Sequence, residues 1–287
     1  MPELPEVQAL ATDLNSRLAD RAIARVEVAA LSALKTFDPP PAALAGLLVD
    51  RVVRHGKFLA VEASGLHLVM HLARAGWIRW RDTIPPTPLR MGKGPLAARV
   101  VLDDDSGFDV TEAGTQKRLA IYVVRDPAEV PGIARLGPDP LAAGFTPENL
   151  RGILTAAGRA QVKGTLRDQA VVAGIGNAYS DEVLHAARLS PYRPSNSLTD
   201  AEVETLFAAI RDVLTDAIDR SEGLGASELK AEKKTGLRVH GRAGEPCPVC
   251  GDTIRQVSFA DRSMQYCPTC QTGGKPLADR RLSRLLK

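Results

Sequence analysis

Aromatic residues make up only 4% of these 287 residues, so any core is expected to be mostly aliphatic. No apolar run approaches the roughly 20 residues needed to cross a bilayer, which argues against a helical membrane protein. The opening "MPELPEVQALATDL" lacks a basic stretch followed by an apolar one, so no secretory signal is expected and a cytoplasmic protein is. Cysteine is equally sparse. Its four copies all lie between positions 247 and 270, with no histidine among them.

The remaining composition is ordinary for a globular chain, with 44% hydrophobic and 25% charged residues. The length suffices for two modest domains, each with its own core. The net charge of +3 is small but uneven: from Ser227 to Lys287 there are 12 Lys/Arg against 6 Asp/Glu, giving +6 and leaving −3 for the rest. A basic C-terminal region on a mildly acidic body suggests a polyanionic partner.

Val7, Leu10, Ala11, Leu14 and Leu18 recur at helical spacing over Leu4–Leu18. Short β-branched runs follow: "AIARVEV", "VVRHGKFLAVEA", "LHLVMHLA", "ARVVLDD" and "RLAIYVV". Clusters of Gly, Pro and Asp separate them, the pattern of a β-sandwich or barrel after one helix. Proline or glycine every few residues marks a linker near 130–146, and beyond it the period turns helical. Thr146 caps "PENLRGIL", and Thr199 with Glu202 has capping-box spacing. "SEGLGASELKAEKKTG" reads as a mobile loop. The expected class is α+β and multidomain, with domains at 1–132, 133–236 and 237–287.

The cysteines Cys247, Cys250, Cys267 and Cys270 are spaced C-x2-C-x16-C-x2-C, which suits a four-thiolate zinc site. Two tight turns each supply two soft donors, and "TIRQVSF" and "SMQYC" read as the hairpin joining them. A disulfide framework would suit a secreted protein instead. Four protein ligands leave no open position, so one Zn²⁺ per chain is expected to be structural, allowing a weakly apolar module to fold. In "DQAVVAGIGNAYSDEVL", Gly174, Gly176 and Asn177 lie between two helical segments. Glycines allow left-handed turns, and a following helix start favours anions. No strand precedes the turn, so a dinucleotide fold is excluded.

The opening raises its own question. Pro2 and Pro5 suit a first helical turn. Yet once Met1 is removed, Pro2 becomes a secondary amine, and a nucleophile. Taken together, "PELPEV", Lys57 in "RHGKFL", "DQAVVAGIGNAYSDEVL", "VHGRAGEPCPVCG" and "DRSMQYCPTCQ" resemble the formamidopyrimidine-DNA glycosylase/endonuclease VIII family. They span almost the whole chain in the family's order, and "PELPE" looks closer to the formamidopyrimidine branch. The resemblance implies an N-terminal β-sandwich with flanking helices, a helix-two-turn-helix domain and a zinc-finger hairpin. It also implies repair of duplex DNA carrying a damaged base or abasic site. A monomer is the simplest expectation, in the cytoplasm at the nucleoid. Pro2 matches the nucleophile, Glu3 the acid/base, Glu6 a supporting carboxylate and Lys57 the active-site lysine. Asn177 matches the phosphate-binding asparagine of the Gly174–Gly176 turn, and Arg262 the hairpin arginine that clamps phosphates.

The chain departs from the family pattern at two places. The formamidopyrimidine branch fills the gap left by the flipped base with a methionine in "HLGMSG"; here "HLARAGW" puts Arg74 there. A "DPRRFG"-like loop is replaced by "TEAGTQKRLAIYV", where Gln116 or Lys117 would take over. Reading of the orphan base must therefore differ, and abasic sites or oxidised pyrimidines compete with 8-oxoguanine as substrates. The expected function is a bifunctional glycosylase/abasic-site lyase. The alternatives are a lyase with little base preference and a non-catalytic protein that binds damaged DNA.

Overall fold

The computed structural model describes residues 1–87, 89, 94–225, 228–259 and 262–279. They fall into two units: residues 1–135 with 221–232, and residues 136–220 with the chain from 233 onward. Among the described residues no helix is long and apolar enough to cross a membrane.

The first unit begins with α1 (Leu4–Leu18), whose Val7, Leu10, Ala11, Leu14 and Leu18 are all buried. Its first turn closes on itself: the Glu3 N–H donates to Glu6 Oε2 at 2.8 Å, satisfying a donor that a helix start leaves open. Eight strands follow: β1 (Ile23–Val28), β2 (Val49–His55), β3 (Phe58–Ala63), β4 (Leu66–His71), β5 (Gly76–Arg81), β6 (Leu96–Leu102), β7 (Gly107–Glu112) and β8 (Ala120–Val124). They form two four-stranded antiparallel sheets, ordered β1-β6-β7-β5 and β2-β3-β4-β8. A largely aliphatic cluster fills the sandwich, including Leu10, Leu14, Leu59, Met70, Ile78, Val100 and Val110.

Two of these strands are not apparent from the sequence. In β7, Asp109 breaks the apolar pattern, yet it is 2% exposed. Arg99 holds it from the neighbouring strand through two bonds of 2.7 and 3.1 Å, and Arg81 of β5 adds a third at 3.1 Å. Charge is thus neutralised across strands, where a single-strand reading cannot see it. The run "VVRHGKFLAVEA" is two strands, turned at Gly56 (φ +56°) and Lys57 with His55 opposite Phe58.

Helix α1 packs on the outer strand β2 through a polar clamp. Asn15 Nδ2 donates to the Val52 carbonyl at 2.7 Å, and its Oδ1 accepts the Val52 N–H at 2.6 Å. The side-chain amide thereby supplies the backbone partners an edge strand lacks. Arg54 Nε reaches Gln8 Oε1 at 2.9 Å two residues further along the strand. This order of contacts carries the β2–β3 turn, with Lys57, toward the N-terminal end of α1.

The second unit contains α2 (Pro147–Ala156), α3 (Val162–Arg167), α4 (Asn177–Ala186) and α5 (Asp200–Ser221), then the hairpin β9 (Arg255–Ser258) and β10 (Ser263–Tyr266) and the short α7 (Pro268–Thr272). Both expected caps form: Asn149 N donates to Thr146 Oγ1 at 3.3 Å, and Glu202 N to Thr199 Oγ1 at 3.3 Å. The stretch read as a mobile loop is corrected in part, because Leu229–Gly236 is helical (α6). Leu229 is fully buried in the sandwich cluster and anchors an otherwise polar segment.

Two expectations follow for stability. Asn15→Ala removes both clamp bonds and leaves Val52 short of partners, so unfolding free energy should drop by about 1–3 kcal/mol, measurable by urea titration. The second concerns His71, whose ring lies 4.6 Å from that of Phe58. Burial, and then the Lys57 ammonium, push its pKa from 6.5 down to about 4. The unfolded chain therefore takes up this proton first. Above pH 6.5 the group adds no pH dependence; between 6.5 and about 4 stability falls with pH, by up to about 3 kcal/mol. Urea titrations at pH 7.5 and 5 should show a shallower loss for His71→Gln than for the parent.

Candidate active site and phosphate-binding elements

In the first unit, Pro2, Glu3 and Glu6 are buried at the head of α1, with both carboxylates 2% exposed, whereas Met1 is 47% exposed. Lys57, in the β2–β3 turn, is 7% exposed, and its charge is felt at His71. Pro2, two carboxylates and a lysine held out of water make a site in which electrostatic effects are strong. Arg74 is exposed on the turn between β4 and β5. That turn is tight: a Cβ on Gly76 would meet the Leu72 carbonyl oxygen at 2.1 Å, so glycine is required there. Gln116 and Lys117 are exposed between β7 and β8, where Lys117 Nζ donates to the Glu112 carbonyl. The Glu112 carboxylate shapes this loop by accepting the N–H groups of Arg118 (2.8 Å) and Leu119 (3.1 Å).

In the second unit, the glycine turn has a tie that the sequence does not announce. Gly174 turns the chain at φ +89°. Its N–H donates to Gln169 Oε1 at 2.9 Å, and Gln169 Nε2 donates to the Ile175 carbonyl at 2.7 Å. Gly176 then caps α4, and Asn177 is its first residue. Asn177 Nδ2 donates to the Ser263 carbonyl at 2.7 Å, next to the exposed Arg262, whose guanidinium lies 5.7 Å from the Phe259 ring centre. The turn and the hairpin arginine are thus brought together within this unit. Asn177 Oδ1 is buried, with no hydrogen-bond partner among the described residues.

Behind these groups sits a buried ionic cluster. Lys163 Nζ donates to Asp181 Oδ1 (2.7 Å), Ser180 Oγ (2.7 Å) and the Asn177 carbonyl (3.1 Å). Asp181 Oδ2 meets His240 Nδ1 at 2.7 Å and accepts the Gln265 N–H at 3.1 Å. Glu182 accepts the N–H groups of Arg238, Val239 and His240. Burial raises the Glu182 pKa, and those three bonds oppose the shift.

The four cysteine sulfurs lie within 4.8 Å of one another, with Cys247–Cys270 at 3.9 Å and Cys250–Cys267 at 3.4 Å. Zinc–thiolate bonds of about 2.3 Å in a tetrahedron put sulfurs about 3.8 Å apart, so this donor set fits. Burial pushes the Cys267 thiol up to about 11 and Cys270 higher still, so a cation is needed to hold them as thiolates. The sequence shows no histidine near the cysteines, but the fold supplies one: His185 Nε2 lies 3.3 Å from Cys247 Sγ. Burial, then the charges of Arg238 and Arg188, lower its pKa and favour a neutral ring. Only the helical face of α4 could have suggested it.

Comparison with known proteins gives the same picture across the chain. Family models match at residues 1–117 (formamidopyrimidine-DNA glycosylase N-terminal domain), 136–228 (formamidopyrimidine-DNA glycosylase H2TH domain) and 244–273 (zinc finger found in FPG and IleRS). A formamidopyrimidine-DNA glycosylase of Symbiobacterium thermophilum is 38% identical over 283 residues, covering 94% of this chain and 89% of that one. A formamidopyrimidine-DNA glycosylase-like protein of Mycobacterium tuberculosis is 56% identical over 160 residues, 56% of this chain and 99% of its own. The crystal structure of MutM (Fpg) from Thermus thermophilus matches with a TM-score of 0.79 at 32% identity, covering 96% of this chain and all of the other. A Lactococcus lactis Fpg bound to DNA containing an abasic site matches with a TM-score of 0.81 at 26% identity, covering 94% of this chain and 99% of that one. With full-length relatives above 30% identity and all three family models in order, this chain belongs to the formamidopyrimidine-DNA glycosylase family.

Proposed function

We propose that the protein is a DNA glycosylase of base excision repair that also cleaves the resulting abasic strand. The observation that carries this reading is the buried head of α1, where Pro2 is followed by two carboxylates, each 2% exposed. Removal of the exposed Met1 frees the Pro2 nitrogen. An α-amine of pKa near 7.7–8.0 is about one-seventh neutral at pH 7, whereas fewer than one lysine in about a thousand is. Pro2 attacks C1′ of the damaged nucleotide, the base departs, and Glu3 delivers a proton to O4′ as the ring opens. The product is a charged iminium. It acidifies the C2′ proton, and the 3′-phosphate leaves by β-elimination; the 5′-phosphate leaves in a further step where δ-elimination follows.

Glu6 fixes the head of the helix through the Glu3 N–H. Lys57 balances the two carboxylates, which would otherwise hold the amine protonated, and contacts phosphate. Asn177, the Gly174–Gly176 turn and Arg262 hold the phosphates flanking the extruded nucleotide, with Arg262 offering a forked contact. Such contacts give affinity and register rather than base identity. Arg74, Gln116 and Lys117 occupy the space vacated by the lesion and face the opposite strand. Cys247, Cys250, Cys267 and Cys270 hold one zinc ion, which stabilises the hairpin bearing Arg262. All these groups come from one chain, so the working unit is a monomer.

Borohydride reduction with abasic-site duplex should trap a covalent adduct, and Pro2→Gly should largely remove it, with intact mass verifying loss of Met1. Correctly trimmed protein that binds such DNA but never cross-links would sink the mechanism. Running 8-oxoguanine, thymine glycol and abasic duplexes in one nicking assay ranks the substrates. Arg262→Ala should weaken binding to all duplexes alike and reduce the salt slope by about one. Cys250→Ser should lower bound zinc from one ion per chain, read by atomic absorption, and weaken DNA binding in step.

A further inference from the structure

Both tryptophans of the chain, Trp77 and Trp80, line one groove of about 470 Å³ in the first unit. The groove runs along β5, the outer strand of its sheet, so side chains from both faces of that strand reach it. Its walls carry Arg17, Arg79, Arg81 and Lys230, and no carboxylate lines it among the described residues. The Arg17 guanidinium lies 4.9 Å from the Trp80 ring centre, and the Lys230 ammonium 5.8 Å from that of Trp77.

These cations are not equivalent. Arg17 is paired with Asp13 at 2.9 Å, and Arg81 with Asp109 at 3.1 Å. Arg79 stands directly across from Asp109 in the strand register, but that carboxylate is already held by Arg99 and Arg81. Exposed Arg79 and exposed Lys230 have no carboxylate partner among the described residues. Lys230 instead rests against an aromatic face, a position from which a flexible ammonium is readily displaced. Nothing in the proline chemistry uses this arrangement. Arg17 lies fourteen residues along α1 from Glu3, about 21 Å at the helical rise, so at least this end of the groove is remote from the nucleophile.

A ligand matched to the groove must be flat, to lie against indole or guanidinium planes, and anionic, to satisfy Arg79 and Lys230. A volume of about 470 Å³ is within the range of small-molecule sites. We propose that the Trp77–Trp80 groove is a second binding site for a nucleobase bearing its phosphate, either as a free nucleotide or as one unit of a single DNA strand. The base lies against Trp80 with Trp77 as the floor, and the phosphate is held between Arg79 and Lys230, which leaves its resting place on the ring. Aromatic stacking tolerates any base, and the charge-assisted contacts demand the phosphate.

Because the chain has no tryptophan elsewhere, fluorescence excited at about 295 nm reports on this groove alone. The probes are dTMP, thymidine, inorganic phosphate and hexathymidylate, chosen because thymine absorbs weakly at that wavelength. Saturable quenching by dTMP is expected, at least about tenfold tighter than by thymidine or phosphate alone. Arg79→Ala and Lys230→Ala should each weaken dTMP by about tenfold or more, the factor a charge-assisted bond carries. Tighter quenching by hexathymidylate than by dTMP identifies a track for strand DNA; equal or weaker quenching identifies a mononucleotide pocket, and both support the site. Absence of saturable quenching, equal quenching by phosphate alone, or indifference to both substitutions overturns it. Arg79→Ala should still form the borohydride adduct, so failure here is separable from failure of the proline mechanism.

Discussion

The Asp181 carboxylate has no contact with solvent, and both of its oxygens are engaged inside the second unit. One oxygen holds the Lys163 ammonium, the other the His240 ring and the Gln265 backbone. Lys163 in turn grips the first turn of α4 through the Asn177 carbonyl and the Ser180 hydroxyl. Helix start, connecting loop and zinc hairpin are therefore joined through a single charge. Burying an ion is costly unless it is paired and its remaining hydrogen bonds are met, and here each charged partner has several. What the arrangement contributes is positional: Asn177 and Arg262 belong to elements that this cluster fastens together. Removing one partner would strand the others in a low-dielectric interior, so the cluster holds together or fails together.

The division of chemistry follows the division of the chain. The first unit carries the buried Pro2, Glu3, Glu6 and Lys57, the groups proposed to carry the chemistry. The second carries the Asn177 amide, the glycine turn and the Arg262 guanidinium, the groups proposed to hold phosphate. The four cysteines belong with the latter: they would fill the tetrahedron of a zinc ion and leave it no position for substrate, and His185 touches one of them from outside the hairpin.

Much of this was legible in the sequence because it is written locally. The helical stripe of α1, the caps at Thr146 and Thr199, and the paired cysteine turns each depend on residues a few positions apart. What stayed hidden depends on partners distant in the chain. Asp109 looks wrong for a strand until Arg99 and Arg81 are seen across the ladder. "SEGLGASELKAEKKTG" looks irregular because Leu229 is the sole large apolar residue in the helical part, and its anchoring site lies in a sandwich formed some 100 residues earlier. Gln169 gave no signal, and His185 only its place on the face of α4, since neither falls in a recognisable spacing with the groups it supports. The roles proposed for Pro2 and Lys57 rest on resemblance, because a proline near a helix start and a lysine in a hairpin are individually unremarkable.

The amide of Asn15 does more than blunt a sheet edge. By bonding twice to one residue of β2, it fixes the axial and rotational setting of α1 at a single point near its far end. From there to Glu3 the helix acts as a ruler of twelve residues, each adding 1.5 Å and 100°. A one-residue insertion or deletion along that length would swing the leading carboxylate about a quarter of the way around the axis, and with it every apolar residue between the change and the helix start. The spacing between Asn15 and the front of the helix is therefore constrained in length as tightly as any residue in it is constrained in kind.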